Sequence, residues 1–147
     1  IDNIRLILIG DNFDCEPYSS NINATGMADK ILQTGFRSDV PQIAKACDVL
    51  VLPSEREGLP RVVLESLAVG TPVITSANEG AMEIIDDKIN GYVAAVKNSK
   101  DLAIGIQWCL QTLLTLSKKA RHKVETHYSY EIIGQQYQYL YQSIFKS

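Results

Sequence analysis

The sequence lacks the features that mark several large classes of protein. No apolar run approaches the roughly 18 residues that cross a bilayer as a helix, and no signal peptide is recognised, so we expect a cytoplasmic protein without a transmembrane segment. The net charge of the 147 residues is only −3, and the basic side chains are scattered. A nucleic-acid-binding domain needs a basic face, so we expect no nucleic-acid partner. The apolar fraction of 46% and the charged fraction of 21% are typical of a globular domain.

Cysteine and histidine are too sparse to predict a metal centre. Cys15, Cys47 and Cys109 are far apart and form no C-x-x-C pair, which favours reduced structural thiols. His122 and His127 are five residues apart on a predicted helix, so we place them on different faces and interpret both as surface residues. We therefore expect no metal site.

Three catalytic or cofactor motifs are also missing. The chain has no G-x-G-x-x-G fingerprint, no G-x-x-x-x-G-K-[ST] loop and no G-x-S-x-G elbow. A dinucleotide oxidoreductase, a P-loop enzyme and an α/β-hydrolase are thereby disfavoured.

Strand and helix signals alternate along the chain. Short apolar runs predict strands at 4–9, 31–34, 49–52, 73–75 and 92–96. Periodicity and capping residues predict helices at 18–24, 40–47, 61–69, 81–85, 99–116, 117–126 and 130–145, with Ser99 or Asp101 capping the fifth. This order predicts one α/β domain over residues 1–147, with a Rossmann-like, doubly wound parallel sheet and helices on both faces.

The stretch between the third and fourth strands predicts a ligand site. Pro60 suits the first turn of the helix at 61–69, and Gly70 suits its end. That helix is apolar on almost every side, so we predict that it is buried all round, with Glu65 as a buried acceptor. Glu57 lies just before the helix, at the carboxyl end of a strand, where free N–H groups favour an anion.

The spacing of the two glutamates points to a family. The run S-E-R-E-G-L-P-R-V-V-L-E-S-L-A-V-G-T-P-V places seven residues between Glu57 and Glu65. It closely resembles the E-x7-E signature of the GT-B glycosyltransferases of family 4, also called group 1. The segments G-F-R-S-D-V and A-C-D-V-L-V-L-P-S before it, and E-I-I-D-D-K-I-N-G-Y-V and K-D-L-A after it, extend the resemblance over about residues 4–110.

The resemblance implies roles for the residues of the motif. Glu65 would accept hydrogen bonds from the ribose hydroxyls of a nucleotide, whereas a purely structural glutamate would pair with an arginine. Glu57 would lie beside the transferred sugar as the catalytic residue, the alternative being a solvated loop acid. Gly58 and Leu59 would bring backbone amides to the phosphates or the sugar.

Three residues outside the motif core complete the implied site. Phe36 would stack on the nucleotide base, although a core position is the alternative. Arg37 would contact phosphate or acceptor, unless it is a solvated surface charge. Ser54 would hydrogen-bond to the ligand or cap the strand locally.

The resemblance also implies what the whole protein does. It implies a retaining transferase that uses a nucleoside-diphosphate sugar as donor substrate, with no cofactor. The acceptor, a glycan or lipid-linked sugar, would bind an N-terminal domain absent from this chain, and the first strand and helix of the donor domain would precede Ile1. We therefore expect an inactive fragment of a cytoplasmic enzyme of surface polysaccharide or glycolipid synthesis that is peripheral at the inner face of the membrane. A non-catalytic nucleotide-binding module and a GT-B-fold sugar-nucleotide epimerase are the alternatives.

Overall fold

The computed structural model describes residues 3–11 and 16–145, and the chain divides into two compact units, Ile1–Val40 and Pro41–Ser147. The first unit contains, in order, β1 (Leu6–Leu8), α1 (Tyr18–Ala24), a 3-10 turn (Ala28–Lys30) and β2 (Ile31–Gln33). The two strands pair in parallel, with Leu6 opposite Ile31. Cys15, which was predicted to be a reduced structural thiol, lies outside the described residues.

The second unit contains a parallel sheet of three strands among its described residues, in the order β3-β4-β5. Its elements, beginning with the helix that spans the boundary, are α2 (Val40–Ala46), β3 (Leu50–Leu52), α3 (Arg61–Ala68), β4 (Val73–Ser76), α4 (Glu79–Ile84), β5 (Gly91–Ala94), α5 (Ser99–Gln111), α6 (Leu113–His127) and α7 (Tyr130–Phe145). The predicted α/β class with parallel strands and surrounding helices is confirmed.

The central strand β4 divides the core of the second unit. Successive side chains of a strand point to opposite faces. Val73 packs in a cluster with Val63 and Leu67 of α3, whereas Ile74 packs in another cluster with Tyr92 of β5 and Cys109 of α5. Helix α3 therefore covers one face of the sheet and α5 the other, and the loops at the carboxyl ends of the strands pass over the edge between them.

The starts of α4 and α6, and the cap and the end of α5, differ from the prediction. Helix α6 begins at Leu113 and not at residue 117. The predicted helix 99–116 is wrong, because α5 ends at Gln111 and Thr112 leaves helical geometry at φ −119°, ψ 15°. The cap of α5 is Asn98, whose side chain accepts the Asp101 amide at 3.0 Å. Helix α4 begins two residues earlier than predicted because Asn78 caps it. Asparagine was overlooked in both places, although it is among the best N-cap residues.

Candidate functional site

The side chain of Asn78 fixes the loop that follows β3. It is 5% exposed, and its Nδ2 donates to the carbonyl oxygens of Ser54 at 3.0 Å and Ser76 at 3.1 Å. Its Oδ1 accepts the amide of Ala81 at 2.9 Å. One buried amide thus joins the ends of β3 and β4 to the start of α4. The sequence analysis missed this residue, and its position before a short helical segment was the available signal.

The backbone carbonyl groups of Glu57 and Gly58 lie directly against α4. A Cβ added at Gly80 would overlap the carbonyl oxygen of Gly58 and lie 2.6 Å from that of Glu57. Only glycine at position 80 admits this approach. Two contacts therefore position the loop that carries Glu57. Gly80 of α4 packs against its backbone, and Asn78 binds the carbonyl oxygen of Ser54 at the start of the loop.

The first turn of α3 presents free backbone donors. Pro60 is the N-cap rather than a first-turn residue; its backbone is extended at φ −72°, ψ 100°, and no side chain caps the helix. Within the described parts of the chain, the amides of Gly58, Leu59, Arg61 and Val62 have no hydrogen-bond partner. Free N–H groups at a helix start, together with the helix dipole, favour an anion.

Glu65 lies on the outward face of α3, so the prediction of a helix buried all round is wrong. Val63 and Leu67 are fully buried, but the Glu65 side chain is 35% exposed and pairs at 3.4 Å with Arg61, which is 87% exposed. Helix α3 packs on the sheet and, in the same cluster, on Ala120 of α6, and Arg61 and Glu65 lie one turn apart on the side that meets solvent. Such an exposed pair contributes little to stability, so a ligand can take over the Glu65 carboxylate.

The Glu57 side chain is partly buried and has no partner. Its carboxylate makes no hydrogen bond or ion pair with any residue that the structure describes. The next two residues of the loop, Gly58 and Leu59, are exposed. Ser54 is held through its backbone carbonyl, and its hydroxyl makes no hydrogen bond to a described residue.

Phe36 and Arg37 belong to the first unit. Phe36 is 77% exposed, which contradicts the alternative of a core phenylalanine and leaves its ring free to stack. Arg37 forms a bidentate pair with Asp39 through bonds of 2.8 and 2.7 Å. The Arg37 hydrogen bonds lower the pKa of Asp39. Arg37 is thus an exposed charge already engaged by a neighbour, which agrees with the solvated-charge alternative.

A cavity of about 640 Å³, whose lining includes no residue of the Glu57 loop, lies elsewhere in the second unit. It runs between Asp86 and α6, where Lys123 Nζ binds the Asp86 carboxylate at 2.8 Å. His122 and His127 are exposed, as predicted, although both border this cavity. In residues 3–11 and 16–145, no three His, Cys, Asp or Glu side chains are grouped as a metal site would require.

The chain belongs to a glycosyltransferase family. A sequence profile described as "Glycosyl transferases group 1" matches residues 1–127. The match includes both glutamates of the E-x7-E run and the loop that Asn78 and Gly80 position. The residues singled out by the sequence thus lie within the family segment.

Two curated relatives are named for transfer to lipid-linked acceptors. The chain is 38% identical over 116 residues to the N,N'-diacetylbacillosaminyl-diphospho-undecaprenol alpha-1,3-N-acetylgalactosaminyltransferase of Campylobacter jejuni, covering 77% of this chain and 31% of that protein. It is 29% identical over 109 residues to the UDP-Gal:alpha-D-GlcNAc-diphosphoundecaprenol alpha-1,3-galactosyltransferase of Escherichia coli. That match covers 73% of this chain and 27% of that protein. The chain therefore spans about a third of the length of the curated relatives it matches.

A solved structure with the same fold contains a nucleotide. Anabaena Alr3699/HepE in complex with UDP superimposes with a TM-score of 0.86 at 28% identity, over 95% of this chain and 41% of that one. The same protein has also been solved with UDP-glucose. Among the residues described here, no helix is both long enough and apolar enough to cross a membrane.

Proposed function

We propose that this chain carries the donor-binding site of a retaining glycosyltransferase and that the donor is a UDP-sugar. The observation that supports this most directly is the grouping at the start of α3. Four backbone amides in and beside the helix start, and the carboxylate of Glu57 that precedes them, have no hydrogen-bond partner among the residues that the structure describes. Glu65 lies one turn further along the exposed face, held only by an exposed arginine. The diphosphate of a nucleotide-sugar needs hydrogen-bond donors, which the amides supply. Its sugar and its ribose each need an acceptor, which Glu57 and Glu65 supply.

The proposed roles follow from the chemistry of each group. The amides of Gly58 and Leu59 and those of the first turn of α3 donate to the diphosphate oxygens. Their dipoles are fixed before the reaction, so they stabilise the charge that grows on the diphosphate as the bond to the sugar breaks. Glu65 exchanges Arg61 for two ribose hydroxyls, since one carboxylate can accept from two neighbouring donors. Stacking of the exposed Phe36 ring on the base, which the family resemblance implies, stays a prediction of the sequence.

Glu57 is the proposed catalytic residue. Its free carboxylate accepts hydrogen bonds from hydroxyls of the transferred sugar and holds the anomeric carbon for attack by the acceptor oxygen. The reaction breaks the bond between the anomeric carbon and the diphosphate and forms a bond to the acceptor oxygen, whose proton is released. Ser54, at the start of the loop, offers as an additional contact a hydroxyl that no described residue engages. A phosphate contact by Arg37, which the resemblance implies, stays a prediction of the sequence.

The acceptor and the pathway are proposals that rest on the relatives. Both relatives described above are named for acceptors that carry a diphospho-undecaprenol group. We propose a lipid-linked sugar as acceptor, bound mainly by a further domain, and a role in surface polysaccharide or glycolipid synthesis at the cytoplasmic face of a membrane. Both relatives are also named for alpha-1,3 products, the outcome expected when an alpha-linked donor sugar is transferred with retention.

Nucleotide titration tests the proposed donor site. UDP, GDP and ADP are titrated calorimetrically into the protein, its Glu65→Gln variant and a matched Glu125→Gln variant. Glu125 pairs with Arg121 at 2.8 Å in the same i, i+4 arrangement, on α6. We expect UDP to bind best and Glu65→Gln alone to weaken it, by about tenfold for the loss of hydrogen bonds to a charged group. Equal binding by both variants would contradict the proposed role of Glu65.

A further inference from the structure

A second cavity lies at the carboxyl edge of the three-stranded sheet, on the face opposite α3. It has a volume of about 250 Å³. Its walls come from the segment after β3, the end of β4 and the start of α5, and they are lined by Pro53, Glu55, Ser76, Ala95, Lys97, Asn98, Ser99 and Leu102. Ser76 is two residues after Ile74, which packs on the α5 side, so both side chains point to that face.

The hydroxyl of Ser76 is an unused donor in this cavity. The residue is 4% exposed, and its hydroxyl makes no hydrogen bond to any described residue. No fully enclosed side-chain oxygen or nitrogen of the described residues lacks a partner. The Ser76 hydroxyl is therefore open to the cavity that it lines. A buried hydroxyl without a protein partner needs a partner from elsewhere, because leaving it unpaired is unfavourable.

The start of α5 adds backbone donors to the same cavity. This helix has 13 residues, and the Asn98 side chain satisfies only the amide of Asp101. Within residues 3–11 and 16–145 the amides of Ser99 and Lys100 have no partner, and of these two residues Ser99 lines the cavity. The turn before the helix places Lys97 in the left-handed region, at φ 57°. Helix-start amides beside an ammonium group are the usual elements of a phosphate site.

The charges around the cavity show where an anion already lies. Lys97 Nζ binds the Glu55 carboxylate at 3.2 Å, and both side chains are well exposed. The Asp101 carboxylate is occupied instead by the Tyr92 hydroxyl and the Ala95 amide, each at 2.7 Å. The Glu55 carboxylate is therefore the anion that Lys97 already binds at this cavity, and an exposed ion pair of this kind contributes little to stability.

We propose that this cavity binds a phosphate-type oxyanion. The anion displaces Glu55 from Lys97 and accepts hydrogen bonds from the Ser76 hydroxyl and from the Ser99 amide. None of the groups that the proposal uses is assigned to the donor, although Glu55 belongs to the same loop as Glu57. The proposal therefore stands or falls separately from the proposed function. The oxyanion is either free phosphate or the phosphate of a lipid-linked diphosphate.

Amide shifts measured by NMR at low ionic strength test the proposal. Inorganic phosphate and geranyl diphosphate are titrated separately into ¹⁵N-labelled protein. We expect the Ser99 amide to shift with saturation. Tighter binding of geranyl diphosphate would identify a diphosphate ester as the occupant, and equal or weaker binding would identify free phosphate.

Four variants make the test specific. Ser76→Ala and Lys97→Met should each weaken binding, by about tenfold for a hydrogen bond to a charged group, whereas Glu55→Gln should tighten it because it removes the competing carboxylate. Lys118→Met, an exposed lysine of α6 outside the cavity, controls for overall charge. Shifts confined to other amides, or the same affinity in Ser76→Ala and Glu55→Gln as in the parent, would overturn the proposal.

Discussion

The side-chain amide of Asn78 donates a 3.0 Å hydrogen bond to the carbonyl oxygen of Ser54, across the ends of two neighbouring strands. The same side chain caps α4, whose second residue, Gly80, supports the Glu57–Gly58 backbone. The position of the proposed catalytic loop is thus set by residues outside the E-x7-E run. We expect substitution of Asn78 to lower mainly the stability of the fold, and substitution of Gly80 to weaken mainly the binding of the nucleotide.

Replacing Asn78 should be costly for stability. Asn78→Ala removes the α4 cap and leaves the Ser54 and Ser76 carbonyls short of a donor, so we expect the free energy of unfolding to fall by about 2–3 kcal/mol. Asn98→Ala is the matched control, since Asn98 caps α5 but is exposed and makes no other side-chain hydrogen bond to a described residue. It should lose only about 1 kcal/mol. Urea unfolding measures both, and equal losses would contradict the bridging role of Asn78.

Gly80→Ala should impair nucleotide binding more than stability. Alanine is the better helix former by about 1 kcal/mol, but here its Cβ must push the Glu57–Gly58 backbone away. Gly134→Ala is the control, because a Cβ at that position in α7 has nothing within 4 Å. We expect Gly134→Ala to be neutral or stabilising with unchanged UDP affinity, and Gly80→Ala to bind UDP more weakly. Unchanged UDP affinity in Gly80→Ala would show that the loop does not depend on this contact.

Asp101 should make stability depend on pH in the acid range. Hydrogen bonds from the Ala95 amide and then the Tyr92 hydroxyl lower the pKa of Asp101, and the bond to Asp101 raises the pKa of Tyr92 to about 12. A lowered folded-state pKa means that the charged carboxylate stabilises the fold above the ordinary pKa of an aspartate, and that this contribution is lost as the pH falls through the lowered pKa. The parent should therefore be more stable than Asp101→Asn at pH 7, and the difference should shrink in strong acid. Urea unfolding at pH 7 and in strong acid measures the free energies of unfolding of both proteins. A stability difference between them that does not change with pH would contradict this role of the Asp101 carboxylate.

The two described cysteines should differ in reactivity. Both are free thiols, as predicted. Burial raises the pKa of Cys109 to about 12, and it raises the pKa of the half-buried Cys47 as well. Because the thiolate is the reacting form, Cys47 should be alkylated in the folded protein and Cys109 only after unfolding. Mass spectrometry of peptides after labelling at pH 8 resolves the two sites. Labelling of Cys109 at the rate of Cys47 would show that the α5 side of the core opens in the folded state.

The sequence was most informative where local patterns act alone. Helices α1 and α7 have the predicted bounds, 18–24 and 130–145, and Gly70 ends α3 in a left-handed conformation, as predicted. The break at Thr112 was missed because apolar periodicity runs on from α5 into α6, and only the backbone shows where the chain changes direction.

Tertiary packing decided the remaining features. The apolar composition of α3 suggested burial on every side, but the helix leaves Arg61 exposed and Glu65 partly exposed. The bridge from Asn78 to Ser54 spans 24 positions, and the cavity beneath α5 combines side chains that follow three different strands. No local pattern could have predicted either arrangement.

The most direct test of the account is to compare UDP with uridine by amide chemical shifts. If the start of α3 holds the diphosphate, UDP should shift the amides of Gly58, Leu59, Arg61 and Val62, and uridine at the same concentration should leave them unchanged. Shifts at these four amides that appear only with UDP are the predicted result. Saturable UDP binding that leaves all four unmoved would contradict the central claim that this helix start is the phosphate site.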